Sequence, residues 1–479
     1  MFEQMKKKAA EYTGKPTPGQ KPAPPPAPPS DLPYGGILTA APTTDETNRG
    51  RGRGEVALTA PHLLVSGRTG SGKSRSVLGP NIIMWSARPV VAMSSKGDLA
   101  ELTIRKRAQR GPVYLLDLSG EVRESELRGV DVTHVRCDPC ALIENDDDAL
   151  AMASLLIEVG GLASGNGGGG SSDSFWSTLA MRPLAALLRA GGYYIDATGD
   201  EQWGGGIRWV LDACEDPGQA ADAADAVDLD AANWVTAIAR NAGIGGIHGP
   251  SLTAARALDP RQRDSIGINA RVALSAWAMQ AVAGDETQAA FSPDMLEAPG
   301  ATLYIVSPMT GAAAPAASAV LTQIVNHWRK RVGLLPEILF VLDELPNGAP
   351  LPRLAAWVGE ARGLGVRIVA AVQATSQFEP RWGAAGLKIL REIFPAILVL
   401  PGAPEKEILE TAAWAAGQAE RLTASTDAAG KASYNRDVVD LIKPAELLPQ
   451  ARGQGRLILG GRPGVLVELP DIAKTDLLD

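Results

Sequence analysis

The run Gly67-Arg68-Thr69-Gly70-Ser71-Gly72-Lys73-Ser74 constrains this chain more than any other stretch. It fits G-x-x-x-x-G-K-S at every fixed position and directly follows the apolar segment HLLVS. Such a loop works between the end of a buried strand and the first turn of a helix. Its glycines let the backbone turn so that successive N–H groups converge on one point, and the helix start adds partial positive charge there. A phosphate fits that point. Lys73 then reaches the β- and γ-phosphates and Ser74 ligates magnesium. The expected ligands are ATP and Mg2+, cradled by the whole of Gly67, Arg68, Thr69, Gly70, Ser71, Gly72, Lys73 and Ser74.

A site of this kind needs an acid at the end of a second buried strand. Ile338-Leu339-Phe340-Val341-Leu342 is apolar throughout and ends in Asp343-Glu344. That is a poor pattern for a solvent-facing strand end and a good one for chemistry. Asp343 is expected to hold the magnesium through its water shell, and Glu344 to act as general base on the attacking water. The next apolar strand, Val366 to Val372, ends in Gln373, which either hydrogen-bonds that water, senses the γ-phosphate, or simply begins a turn. Arg362 follows the intervening helix, either as an ordinary exposed arginine or as one that reaches a neighbouring subunit. Lys96-Gly97-Asp98-Leu99 follows the strand RPVVAMSS, so Lys96 and Asp98 belong on the same edge of the sheet as the loop. They support the site, contact a moving substrate, or simply open a helix.

The rest of the chain alternates short apolar runs with helical patterns, the signature of a largely parallel sheet covered by helices. VALTA, HLLVS, RPVVAMSS, GPVYLLDLS, ATLYIVSP, EILFVLDEL, VRIVAAVQ and AILVLPG read as strands, and RLILGGRPGVLVELP as an edge hairpin. Between residues 173 and 288 apolar residues recur at three-and-four spacing, which predicts helices only. The expected organisation is a Pro/Gly-rich flexible segment at 1–55, an α/β domain split into 56–172 and 289–479, and an all-helical insertion at 173–288. The insertion accounts for the more than 260 residues between the loop and Asp343. From Asp212 to Asp230 it carries seven acids and no base, which either suits a basic protein better than a bare phosphate backbone or only keeps an exposed loop soluble.

The formal net charge of −8 removes overall charge as an argument for nucleic acid, although a cleft can hold local positive charge. Three cysteines, Cys137, Cys140 and Cys214, are too few for a disulfide framework and fit a reducing compartment. Cys137 and Cys140 form C-x-x-C with no second pair, which reads better as chance spacing than as a zinc or redox site. No run of eighteen apolar residues occurs, so the chain as given reads as soluble.

In sequence order, GRTGSGKS, SSKGDLAELTIRKRAQRGPVYLLD, FWSTLAMRPLAALL, ATLYIVSPMT, ILFVLDEL, ARGLGVRIVAAVQATSQF and a tail with PAELL resemble the VirD4/TraG/TraD-type coupling proteins of conjugation and type IV secretion. The resemblance covers about residues 56 to 470 and rests most on the KGDL segment, the FW helix and the RGxG…Q-x-x-SQ run. It implies a RecA-like P-loop NTPase domain with an inserted all-α domain. It implies a homo-hexameric ATPase that feeds single- or double-stranded DNA with a relaxase, or another secretion substrate protein, to a secretion channel. By motif, Lys73, Ser74, Asp343 and Glu344 take the nucleotide roles, Arg362 acts in trans and Gln373 is the strand-tip glutamine. Members usually begin with transmembrane helices. Here a proline-rich segment stands in that place, which implies a cytoplasmic protein, held at the inner face of the membrane by an anchored channel partner if at all. Two other readings stay open: a segregation-type or phage-type DNA-translocating ATPase, and a nucleotide-gated cargo adaptor with little turnover.

Overall fold

The computed structural model describes residues 32–38, 55–56, 61–163, 171–196, 198–219, 227–285, 287–360, 363–403, 405–426 and 432–474. The strands are β1 Ile37–Leu38, β2 Glu55–Val56, β3 His62–Ser66, β4 Val90–Ser94, β5 Val113–Asp117, β6 Thr133–Arg136, β7 Tyr193–Ile195, β8 Glu201–Trp203 and β9 Ala289–Ala290. They continue as β10 Thr302–Val306, β11 Ile338–Leu342, β12 Val366–Val372, β13 Ala396–Val399, β14 Gln418–Thr426, β15 Ala432–Asp440, β16 Gln454–Leu459 and β17 Val465–Glu468. Among the described residues thirteen of these form one sheet, ordered β2-β1-β17-β16-β13-β3-β12-β11-β4-β10-β5-β6-β9. From β13 to β9 all neighbours are parallel. β16, β17, β1 and β2 extend the sheet antiparallel beyond β13.

The central strands are apolar on both faces because both faces are covered. Alternate side chains of one strand point to opposite sides. In β12, Ile368, Ala370 and Val372 enter one core while Val369 and Ala371 enter the other. The second core takes α1, Gly79–Met84, and α2, Asp98–Ala108, through Ile82, Leu99 and Ile104. The first core is larger. It takes α3 Asp146–Ala163, α4 Ser171–Gly191, α5 Gly206–Glu215, α6 Trp234–Gly243, α7 Gly249–Arg256 and α8 Pro260–Leu274. It also takes α9 Ala314–Lys330, α10 Leu354–Glu360, α11 Glu379–Ile393 and α12 Lys406–Ala416.

Four readings of the sequence are modified. The stretch 173–288 is not helices only: β7 and β8 pair as a small antiparallel hairpin. Three-residue strands are too short to show a period of two. Their support is tertiary, because the Arg240 guanidinium lies 4.2 Å from the ring centres of both Tyr194 and Trp209 and donates to the carbonyls of Ala190 and Gly204. Next, α3 packs against α4 and α8 and also against α9, so one continuous core joins the helical stretch to the sheet. Third, the β16–β17 hairpin is not the sheet edge, since β1 pairs with the outer side of β17. Fourth, residues 33–38 of the expected flexible segment are packed: Tyr34 and Leu38 are buried and the Tyr34 N–H donates to Asn81 Oδ1. Residues 1–31 and 39–54 lie outside the described residues.

Candidate active site

Parallel register brings the carboxyl ends of β3, β12, β11 and β4 to one edge, and the expected site residues follow from those ends. The loop leaves β3 at Ser66. The Gly67 N–H donates to Val372 O at 3.1 Å, which pins the loop root to β12. Gly70 and Gly72 have φ of +80° and +97°, conformations that L side chains rarely adopt. Gly67 is needed for space instead: a Cβ there would sit 2.6 Å from Ser71 Oγ and 2.8 Å from Leu400 Cδ1. Arg68, Thr69 and Gly70 form the exposed tip. A π-helical turn, Lys73–Leu78, then runs into α1.

Lys73 is buried, and its Nζ donates to Gly67 O at 2.7 Å and meets Glu344 Oε1 at 3.4 Å. The same Glu344 oxygen accepts from Gln373 Nε2 at 3.1 Å. Glu344 Oε2 is buried with no hydrogen-bond partner, and so is Ser71 Oγ. Unpaired buried polar atoms are costly, and these two offer contacts to a polar ligand. Glu344 also sits at φ 50°, ψ 40°, a left-handed conformation unusual for a non-glycine residue and typical of functional sites. Asp343 is anchored through its N–H to Met93 O at 2.9 Å. Burial pushes its carboxyl up to about 7, Glu344 and Asp98 add repulsion, and Lys73 opposes the rise. A cation beside Asp343 would restore the carboxylate. The hydroxyl of Ser74 and the carboxylate of Asp343 are hard oxygen donors, the set that suits Mg2+.

Two open clefts flank the loop. One of about 600 Å³ is lined by Ser74, Arg75, Asp98 and Arg128. The other, about 510 Å³, is lined by Ser71, Gly72, Arg452 and Lys474. Asp98 opens α2 and accepts the N–H of Leu99, so it is both a helix start and a wall of the site. Lys96 is exposed on the same connection. Arg362 lies outside the described residues. Cys137, Cys140 and Cys214 are buried free thiols, and burial raises all three. One residue escaped the sequence reading. Glu405, just before α12, accepts from Ser66 at the loop root and from Thr375 beyond Gln373. A glutamate in the run GAPEKE carries no signal of that role.

The family model for type IV secretory system conjugative DNA transfer matches residues 34–397, about three-quarters of the chain. The chain belongs to that family. A comparison with curated proteins gives no match. Among solved structures, the bacterial conjugative coupling protein TrwBdeltaN70 in a trigonal form with sulphate is similar at TM-score 0.56 and 20% identity, over 86% of this chain and 85% of that one. Its unbound monoclinic form gives TM-score 0.57 and 20% identity, over 86% and 84%. TrwB in complex with a non-hydrolysable ATP analogue gives 0.55 and 18%, over 86% of each chain. At such identities the likeness carries the fold, a RecA-like P-loop NTPase domain. Among the described residues no helix is long and apolar enough to cross a membrane.

Proposed function

We propose that this member of the conjugative DNA transfer family is the coupling ATPase of a type IV secretion system. It hydrolyses ATP to drive DNA–protein or protein cargo into the channel. The observation that carries the reading is the meeting of Lys73, Glu344 and Gln373 on one carboxylate oxygen beside an empty-handed Oε2. In this reading the loop amides and Lys73 bind the β- and γ-phosphates, and Ser74 and Asp343 hold Mg2+. The metal, when bound, neutralises charge on the phosphates. Gln373 orients a water against the γ-phosphorus, and Glu344 accepts its proton as the P–O bond to ADP breaks. Structures of TrwB are described with ADP and Mg2+ and with a non-hydrolysable ATP analogue, which supports these ligands.

The same proposal includes a homo-hexameric ring, Arg362 acting on the neighbouring subunit's nucleotide, and the division into 56–172, 173–288 and 289–479. It places the chain at the cytoplasmic face of the inner membrane beside a membrane-anchored channel partner, with DNA and a relaxase as cargo. Steady-state ATPase assays with and without single-stranded DNA test it, using Lys73→Ala as control. Turnover that vanishes in K73A supports an enzyme. Tight ATP binding without turnover in the wild-type chain points to a nucleotide-gated adaptor instead.

A further inference from the structure

Glu405 is a buried carboxylate, 2% exposed, that the proposed hydrolysis does not use. Its Oε1 accepts from Ser66 Oγ at 2.5 Å and from the Thr375 N–H at 2.7 Å. Its Oε2 accepts from Thr375 Oγ1 at 2.5 Å. Thr375 Oγ1 in turn accepts from Arg391 Nε at 2.8 Å, and Arg391 pairs with Glu407 on the first turn of α12. Burying a carboxylate is costly unless its acceptor sites are filled. Here one group collects three donors from two separate segments.

Those segments are the two sides of the site. Ser66 is the residue before Gly67, and its carbonyl accepts the Leu400 N–H at 2.8 Å. Thr375 lies two residues after Gln373, whose amide donates to Glu344. Main-chain pairing of β3 with β12 sets the strand spacing as far as Val372, whose carbonyl accepts the Gly67 N–H. Beyond that point the turn after Gln373 is held to the loop root through Glu405.

We propose that Glu405 is a positioning residue, which fixes the root of the phosphate loop against the Gln373 turn so that Lys73, Glu344 and Gln373 meet the nucleotide in register. The inference rests on the ATPase reading above. Its physical basis is that small misplacement of reacting groups slows chemistry far more than it weakens binding. Because Glu405 directly precedes α12, it also ties that helix to the site.

The test uses the full chain, with Glu405→Gln, Thr375→Val and the double variant. Three quantities are read: ATP turnover, binding of fluorescent mant-ADP with Mg2+, and Tm. E405Q keeps the shape but turns one acceptor into a donor facing Thr375, and T375V removes that hydroxyl. Each should lower kcat roughly tenfold while mant-ADP affinity changes less than about threefold. Since both break the same link, the double variant should be no slower than E405Q. Wild-type kcat in E405Q with only a lowered Tm overturns the positioning role, and so do kcat losses that multiply. If E405Q fails to fold, T375V decides, and wild-type kcat there overturns the inference. A wild-type chain that neither binds mant-ADP nor turns over ATP sinks the site reading and this inference together. An active wild type with an indifferent E405Q sinks the inference alone.

Discussion

Lys73 Nζ lies 3.4 Å from Glu344 Oε1 across 271 residues of chain, with both side chains about nine-tenths buried. The lysine comes from the turn after β3 and the acid from the end of β11, two strands apart in the sheet with β12 between them. Parallel register puts both at the same edge, and Gln373, from the end of β12, fills the gap between them. On the proposed reading, this pair keeps two buried charges compensated until phosphate oxygens take over the lysine.

The pair makes Glu344→Gln informative. A glutamine carbonyl can still accept from Lys73 and Gln373, and its NH2 takes the place of the unpartnered Oε2. Folding and nucleotide binding should therefore persist, but the amide cannot accept a proton from water. We expect kcat to fall by about 10²- to 10⁴-fold with ATP affinity retained. Single-turnover hydrolysis beside a binding titration checks this. Lost affinity with normal turnover per bound nucleotide would reassign Glu344 to a structural role.

Asp343 gives a pH prediction. Its folded pKa of about 7 stands above the ordinary value of 3.8 because burial disfavours the charged form. A raised folded pKa means that the group's contribution to stability is complete below 3.8 and is lost as pH climbs through 7. Nucleotide-free protein should thus be weakened by Asp343 at pH 8 and not at pH 4. Asp343→Asn removes the charge and should stabilise the nucleotide-free chain at pH 8 by at most roughly 4 kcal/mol, while abolishing Mg2+-dependent turnover. Denaturant unfolding of both proteins across this range is the measurement. A wild-type-minus-variant difference that does not grow with pH would refute the assignment.

The gathering of the phosphate loop, Asp343, Glu344 and Gln373 at one sheet edge was legible because each is a fixed motif or an abrupt polar stop after a fully apolar strand. Sheet order was not, since nothing local states that β3 pairs with both β12 and β13. The short pieces also escaped. β6 buries only Val135 firmly, and β1 has two residues whose partner, β17, lies more than 400 residues away. Glu405 escaped for the same reason as β1: its partners, Ser66 and Thr375, come from distant segments that only the fold brings together.

Arg362 enters through the family resemblance and its place after α10, in the connection to β12. If it completes the neighbouring subunit's site, Arg362→Ala and Lys73→Ala proteins should each be inactive alone. Mixed rings would contain interfaces with an intact loop facing an intact arginine, so mixing should restore part of the turnover. Mixed rings that form, shown by tagged co-purification, yet stay inactive would place Arg362 in its own subunit's chemistry or outside it.

The last expectation concerns α5 and the acidic segment that follows it. Ile207, Trp209, Val210, Ala213 and Cys214 bury one face of α5, leaving Asp212 and Glu215 exposed on the other. Excising 173–288 is a poor test of cargo binding, because α3 and α9 would lose packing partners in a shared core. Charge substitution avoids that. Asp212→Asn with Glu215→Gln removes two negative charges and costs only an exposed 3.3 Å pair with Arg271, which contributes little to stability. If this surface steers a basic secretion substrate, the double variant should bind relaxase several-fold more weakly at low salt, mainly through a slower association rate. Above about 0.5 M salt, where the Debye length falls to a few ångströms, the two proteins should bind alike. ATP turnover without cargo should not change, since neither residue lines the clefts beside the loop. Equal association rates at low salt would show that these acids serve solubility and not docking.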